Sequence, residues 1–268
     1  MFQHNYSILN VICKRFCRYS KNLRKKFHSE HFCGEMYRIS RREVCMKIHF
    51  VTEGELSESA ESAARSGCDV LALGFHGLGE IDYRRELAGE TAKLEDMAIL
   101  SRELGCVVVS GCYTDSCGVR HKSAAIAEKG KILGVADMLH AAETDFRSGA
   151  HLKVYETGAG KIGLCVGEDL FYPSVAETLA LCDADVIFNV FGEAEDFAPQ
   201  LMLRASAFCS GVPICMSGEG ISQISSPEGE ILMRSAKREC DFTITPSREY
   251  RLVTVRTRGL ARRRREDF

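Results

Sequence analysis

Gly160-Lys161-Ile162-Gly163-Leu164-Cys165-Val166-Gly167-Glu168-Asp169-Leu170-Phe171-Tyr172-Pro173 opens with an apolar run, 161–166, that reads as a β-strand. Thr157-Gly158-Ala159-Gly160 before it is a turn, and 153–156 ahead of the turn reads as its partner strand. Downstream, 184–190 reads as a strand, 199–210 as a helix and 213–216 as a further strand. Residues 221–225 and 230–232 then pair across Ser226-Pro227-Glu228-Gly229. Upstream, Lys47-Ile48-His49-Phe50-Val51 is a short apolar strand. Leu56, Ala60, Ala63 and Ala64 share a helical face, and 69–73 follows as a buried strand. Leu94, Met97, Ala98 and Leu104 make another helical stripe, followed by the strand 106–109. Strands 123–127 and 132–133 flank the turn Glu128-Lys129-Gly130-Lys131. Strands alternating with helices, without linker, repeat or low-complexity segment, predict one α/β domain over 46–268.

A chain of 268 residues with 45% hydrophobic and 27% charged residues has the composition of a soluble globular protein. No run reaches the roughly 18 apolar residues that a membrane-spanning helix needs. Thirteen cysteines, an odd and irregularly spaced number, do not make a disulfide framework. Cys106, Cys165 and Cys215 lie in apolar runs, where a thiol behaves as a small hydrophobe. Neither Cys13/Cys17 nor Cys112/Cys117 has a matching second pair at zinc-ligand spacing, so no metal and no cofactor are expected. The thiols point to a reducing, cytoplasmic compartment.

Charge is uneven along the chain. Residues 1–45 hold ten Lys/Arg against three acidic residues, while the remainder is net acidic. Arg41-Arg42-Glu43-Val44-Cys45 has the residues that a translated purine-rich ribosome-binding sequence would encode, and Met46 follows at once. The expectation is that 1–45 is a basic extension, over-translated or disordered, with a targeting peptide as the alternative. The acidic remainder argues against nucleic acid as a partner, even beside the basic run Arg262 to Arg265. A membrane partner is not expected either.

Several segments together resemble the nitrilase, or carbon–nitrogen hydrolase, superfamily from about residue 47 onward. The opening stretch is similar to that family's G-x-I-G-x-x-I-C-Y-D-x-x-F-P pattern, and Ala184-Asp185-Val186-Ile187-Phe188-Asn189 to its A-D-V-I-x-N strand. Arg204-Ala205-Ser206-Ala207, Val212-Pro213-Ile214 and Gly220-Ile221-Ser222 follow in the family's order. Gly130-Lys131-Ile132-Leu133-Gly134, Glu143…Phe146…Gly149 and the closing Arg263 to Phe268 complete the series. The resemblance implies a four-layer α-β-β-α sandwich in a single domain, paired into homodimers or higher homo-oligomers through its helical faces. It also implies hydrolysis of amide or nitrile bonds by a Cys nucleophile, a Glu base and a Lys that stabilises the tetrahedral intermediate.

This sequence departs from the family at all three of those positions. The nucleophile falls on Gly167, the base on Phe75 and the lysine on Met138. Glu143, which resembles the family's second glutamate, persists. Cys165 lies two residues early while Asp169 and Pro173 stay in register, so it reads as a buried strand residue. Glu80 reads as a solvated loop carboxylate, and Lys122 stands well before the missing lysine. His76, His121 and His140 have no partner at informative spacing. The expectation is a catalytically inactive homologue acting as a small-molecule-binding or scaffold protein. A vestigial pocket near Glu143, Glu168, Asp169, Cys165 and Arg204 would be narrowed and dried by Phe75 and Met138. The alternative is an active amidase or nitrilase-type hydrolase with relocated catalytic residues.

Overall fold

The computed structural model describes residues 45–143, 145–193 and 197–246. The basic extension, save Cys45, and the arginine-rich C-terminal run lie outside the described residues.

The first sheet is built from β1 (Met46–Val51), β2 (Val70–Leu73), β3 (Gly79–Asp82), β4 (Val107–Ser116), β5 (Val119–Glu128), β6 (Lys131–Asp137) and β13 (Glu239–Ile244). Its order is β13-β1-β2-β4-β5-β6, with β3 paired to β4. The second sheet comprises β7 (Val154–Thr157), β8 (Gly160–Val166), β9 (Val186–Glu193), β10 (Ile214–Glu219), β11 (Ile221–Ser225) and β12 (Ile231–Ser235). Its order is β12-β11-β10-β9-β8-β7. In each sheet three central strands run parallel, β1-β2-β4 in one and β8-β9-β10 in the other, and the flanking hairpins are antiparallel.

Period-2 alternation divides these strands among three apolar cores, one between the sheets and one beneath each helical layer. Ile48, Phe50, Val70, Ala72, Val107, Val109, Ala124 and Ile126 of the first sheet meet Ile162, Leu164, Val166, Val186, Phe188 and Val190 of the second. The alternate residues of the first sheet, Leu71, Leu73 and Val108 among them, face α1 (Ala60–Ser66) and α3 (Lys93–Leu104); the short α2 (Tyr83–Leu87) lies between these in sequence. Those of the second, Cys165, Ile187, Ile214 and Met216, face α4 (Pro173–Leu181) and α5 (Ala198–Ser210). The architecture is therefore a four-layer α-β-β-α sandwich in one domain. Pro173 opens α4 and a proline stands in the first turn of α5, where a missing N–H costs nothing. Gly105 and Gly211 end α3 and α5 in the left-handed conformation that a residue with a Cβ resists.

The helical stripe near residue 60 needs one correction: Ala64 is exposed, and Ser62 takes the inward place beside Ala63. Strands β4, β5 and β6 run well beyond the apolar cores that marked them. At Gly111 in β4, an added Cβ would stand 2.5 Å from Val190 Cγ1 and 2.8 Å from Phe75 Cα, so the sheets approach there as closely as a backbone allows.

Candidate functional site

Parallel strands deliver their chain ends to one edge of the sheet, where α/β proteins place ligands. At that edge the three positions assigned by resemblance meet. Phe75 follows β2, Met138 follows β6 and Gly167 follows β8. Gly167 has φ +51°, and a Cβ built on it would lie 3.0 Å from Met138 Sδ and 4.0 Å from Lys122 Cδ. Phe75 and Met138 are each 1% exposed and belong to the same core as Val166. Phe75 stacks on Tyr113 of β4 with ring centroids 5.0 Å apart, and Tyr113 packs against Phe146 at 5.7 Å. Apolar side chains occupy the positions that the resemblance assigns to base and lysine.

Polar chemistry is retained at the mouth. Lys122 shares the inward parity of Ala124 and Ile126 along β5, so its stem runs into the sandwich. Its Nζ donates to Glu143 Oε1 at 2.7 Å and to Glu168 Oε1 at 3.1 Å, and stands 5.5 Å from the Phe146 ring centroid. Burial disfavours the ammonium charge, but hydrogen bonds and attraction from Glu143 and Glu168 outweigh it and leave its pKa raised. Glu168 Oε2 is enclosed without a hydrogen-bond partner among the described residues. Across the mouth, burial and then the Glu193 charge raise the pKa of Glu219. Burial raises Tyr113 as well, with Glu219 adding to it.

Asp169, Cys165 and Arg204 were expected in this pocket, and the structure gives each of them partners of its own. Asp169 is buried, accepting from the backbone N–H groups of Leu139 (2.8 Å) and His140 (2.9 Å) and pairing with His140 Nδ1 (2.8 Å). His140 in turn stacks on Tyr172 at 3.7 Å. The carboxylate thus clamps the loop after β6 to the 3-10 turn Gly167–Phe171. Cys165 faces α4 and α5, because neighbours along a strand point to opposite faces; burial pushes its thiol far above the ordinary cysteine range. Arg204 on α5 donates from Nε to the Gly229 carbonyl at 2.8 Å, which holds the β11–β12 turn. Glu143 and Glu168 do come together, through Lys122. The sequence reading set that lysine aside as standing well before the missing one, and it missed Tyr113. The signal for Lys122 was available: extending the inward alternation of β5 back two residues from Ala124 reaches it. Of the remaining singled-out residues, Glu80 pairs with Arg120 at 2.9 Å and His121 Nδ1 meets the Arg147 carbonyl at 2.8 Å. Both nitrogens of His76 are enclosed without a hydrogen-bond partner among the described residues.

A family model described as carbon–nitrogen hydrolase matches residues 52–247. The chain belongs to the carbon–nitrogen hydrolase family. It is 24% identical over 183 residues to a probable nitrilase of Schizosaccharomyces pombe, a match covering 61% of this chain and 67% of the relative. It is 29% identical over 165 residues to a nitrilase of Pyrococcus abyssi, covering 56% of this chain and 62% of that protein. Among solved structures, an amidase from Nesterenkonia sp. superposes with a TM-score of 0.63 at 17% identity, covering 81% of this chain and 97% of the other. A variant of that amidase, with a TM-score of 0.64 at 18% identity and 76% and 91% coverage, shows covalent addition of an acetamide moiety at its active-site cysteine. At such identities the structural likeness establishes the shared fold.

Proposed function

We propose that this carbon–nitrogen hydrolase homologue is catalytically inactive toward carbon–nitrogen bonds and acts as a small-molecule-binding or scaffold protein. One observation carries the reading. The position that resemblance assigns to the nucleophile is Gly167, packed against Met138 where an attacking thiol and its lysine would stand. Covalent amide hydrolysis needs a nucleophile beside a base and a cation beside the developing oxyanion. Cys165, the thiol nearest in sequence, faces the helices and is held in its neutral form by burial. The mouth keeps a cation between two carboxylates beside an aromatic ring, a set suited to a small polar ligand.

Pairing into homodimers belongs to the same proposal. Leu181 at the end of α4 is 87% exposed and Leu201 of α5 50% exposed, on the layer that resemblance assigns to subunit contact. A reducing cytoplasm remains the proposed compartment. No helix among the described residues is long and apolar enough to cross a membrane.

The test incubates the purified chain with a pooled amide and nitrile library, following ammonia release and intact mass. No ammonia and no adduct are expected, and thermal shift then searches for ligands, with Lys122→Met as the control. Ammonia release from preparations free of contaminating amidase would overturn the proposal. An adduct mapped to Cys165 would establish the relocated-nucleophile alternative.

A further inference from the structure

A second constellation lies on the outer face of the first sheet, where β1, β13 and α1 meet. In β1 the inward residues are Ile48 and Phe50, so His49 between them points away from the inter-sheet core and the family's site. Its cross-strand neighbour on β13 is Asp241, and His49 Nδ1 lies 2.8 Å from Asp241 Oδ1. Its other ring nitrogen, Nε2, lies 3.3 Å from Ser62 Oγ on α1. Carboxylate, imidazole and hydroxyl therefore stand in series, with Asp241 brought from 192 residues beyond His49. The order of contacts is the one that makes serine a nucleophile: an Nδ1–H bound to a carboxylate leaves Nε2 as the acceptor for the hydroxyl proton.

The surroundings suit that chemistry. Burial works against the Asp241 charge, but the Ser66 hydroxyl at 2.6 Å, His49 and Lys47 at 3.7 Å together hold its carboxyl below the ordinary range. His49 is 4% exposed and Ser62 8%, yet both line an open cavity of about 360 Å³ together with Arg65, Glu239 and Cys240. Arg65 supplies a cation to that cavity. Ser62 Oγ also stands 3.0 Å from the Ser59 carbonyl, and a serine hydroxyl rotates between two such acceptors.

We propose that Ser62, His49 and Asp241 form an acyl-transfer site, separate from the family's site, that takes small carboxylic esters. Ser62 Oγ attacks the ester carbonyl carbon while His49 Nε2 takes its proton, and Asp241 positions the imidazole. The carbon–oxygen bond to the leaving group then breaks, and the alcohol departs with the proton from His49. Water attacks the acyl-serine and gives a proton to Nε2; the carboxylic acid leaves, and Ser62 recovers the proton. No ammonia is produced, so this proposal stands or falls independently of the inactive reading of the other site.

The experiment treats the full chain with a fluorophosphonate, which phosphonylates an activated serine with loss of fluoride, and maps the adduct by mass spectrometry. The expected result is one adduct on the peptide carrying Ser62, absent in Ser62→Ala. Hydrolysis of p-nitrophenyl acetate should fall at least about tenfold in kcat in Asp241→Asn with little change in KM, and Asp241→Glu should restore part of it. Circular dichroism checks that each variant is folded; should a variant fail to fold, the adduct site in the wild-type chain decides. A folded wild-type chain that takes no adduct, or takes it elsewhere, overturns the proposal and makes the network a staple joining β1, β13 and α1. Ester hydrolysis undiminished in Ser62→Ala overturns it equally.

Discussion

Gly167 holds a backbone conformation, φ +51°, that costs an L-residue about 1–2 kcal/mol, and its missing side chain leaves room for Met138 Sδ. Restoring a thiol with Gly167→Cys should therefore lower Tm by about 2–8 °C in a domain of this size. It should release no ammonia from amides, since Phe75 and Met138 offer neither base nor cation. Calorimetry and an ammonia assay check both halves. Lys122 is the second decisive residue. Lys122→Met should cost about 1 kcal/mol at pH 7, because the carboxylates it abandons are partly wet. Its pKa is raised in the folded state, so its contribution is complete below the ordinary lysine value of about 10.4 and is lost as pH rises through the folded value. Urea melts should show a constant difference between wild type and variant from neutral pH up to that range, then a shrinking one. Glu219 has the opposite sense. Its raised pKa means that the ionised form costs stability, a cost present at neutral pH and removed as protonation proceeds. Glu219→Gln should raise Tm at pH 7 and match wild type below about pH 4.3, the ordinary glutamate value.

At the scale of elements, the loop after β6 and the turn after β8 depend on one buried carboxylate. Asp169 accepts two backbone N–H groups and one imidazole N–H, and His140 is stacked on Tyr172 beside it. Asp169→Ala would leave those donors enclosed without acceptors, at about 3 kcal/mol. The expected outcome is a lower urea midpoint with an unchanged slope, together with faster amide exchange at Leu139 and His140 than elsewhere in the sheets. Exchange that quickens uniformly would mean that Asp169 supports the whole fold and no particular loop. Asn189 secures the same corner from within the sheet, donating to the carbonyls of Cys165 and Gly167, both at 3.3 Å. The mouth is thus built on supports that bear no chemistry themselves, which is why Asp169 read as a pocket residue in the sequence and stands as a clamp in the fold.

For the molecule as a whole, the α4/α5 layer exposes leucines that a lone sandwich leaves wet. Size-exclusion chromatography with light scattering should report a dimer for the wild-type chain. Leu181→Glu combined with Leu201→Glu should shift it to monomer, because burying two carboxylates in an apolar contact is unfavourable. A wild-type monomer would remove the proposed pairing. A single α/β domain was legible in the sequence, because apolar strand runs and helical stripes of period 3.6 are local properties of the chain, whereas the four-layer stacking came from the family resemblance. The assignment of the family's three catalytic positions to Gly167, Phe75 and Met138 came from the resemblance, which reads them by their place in its motifs. Strand β13 went unread although Cys240, Phe242 and Ile244 alternate there with Glu239, Asp241 and Thr243, and its place depends on pairing with a strand nearly two hundred residues away. Tertiary structure alone decided which polar groups meet. Lys122 reaches Glu143 and Glu168, Asp169 turns to His140, and His49 joins Asp241 to Ser62, each across loops whose course no local pattern encodes. A side chain's type and face are written in its neighbours along the chain, whereas its partner is set by how separate elements pack.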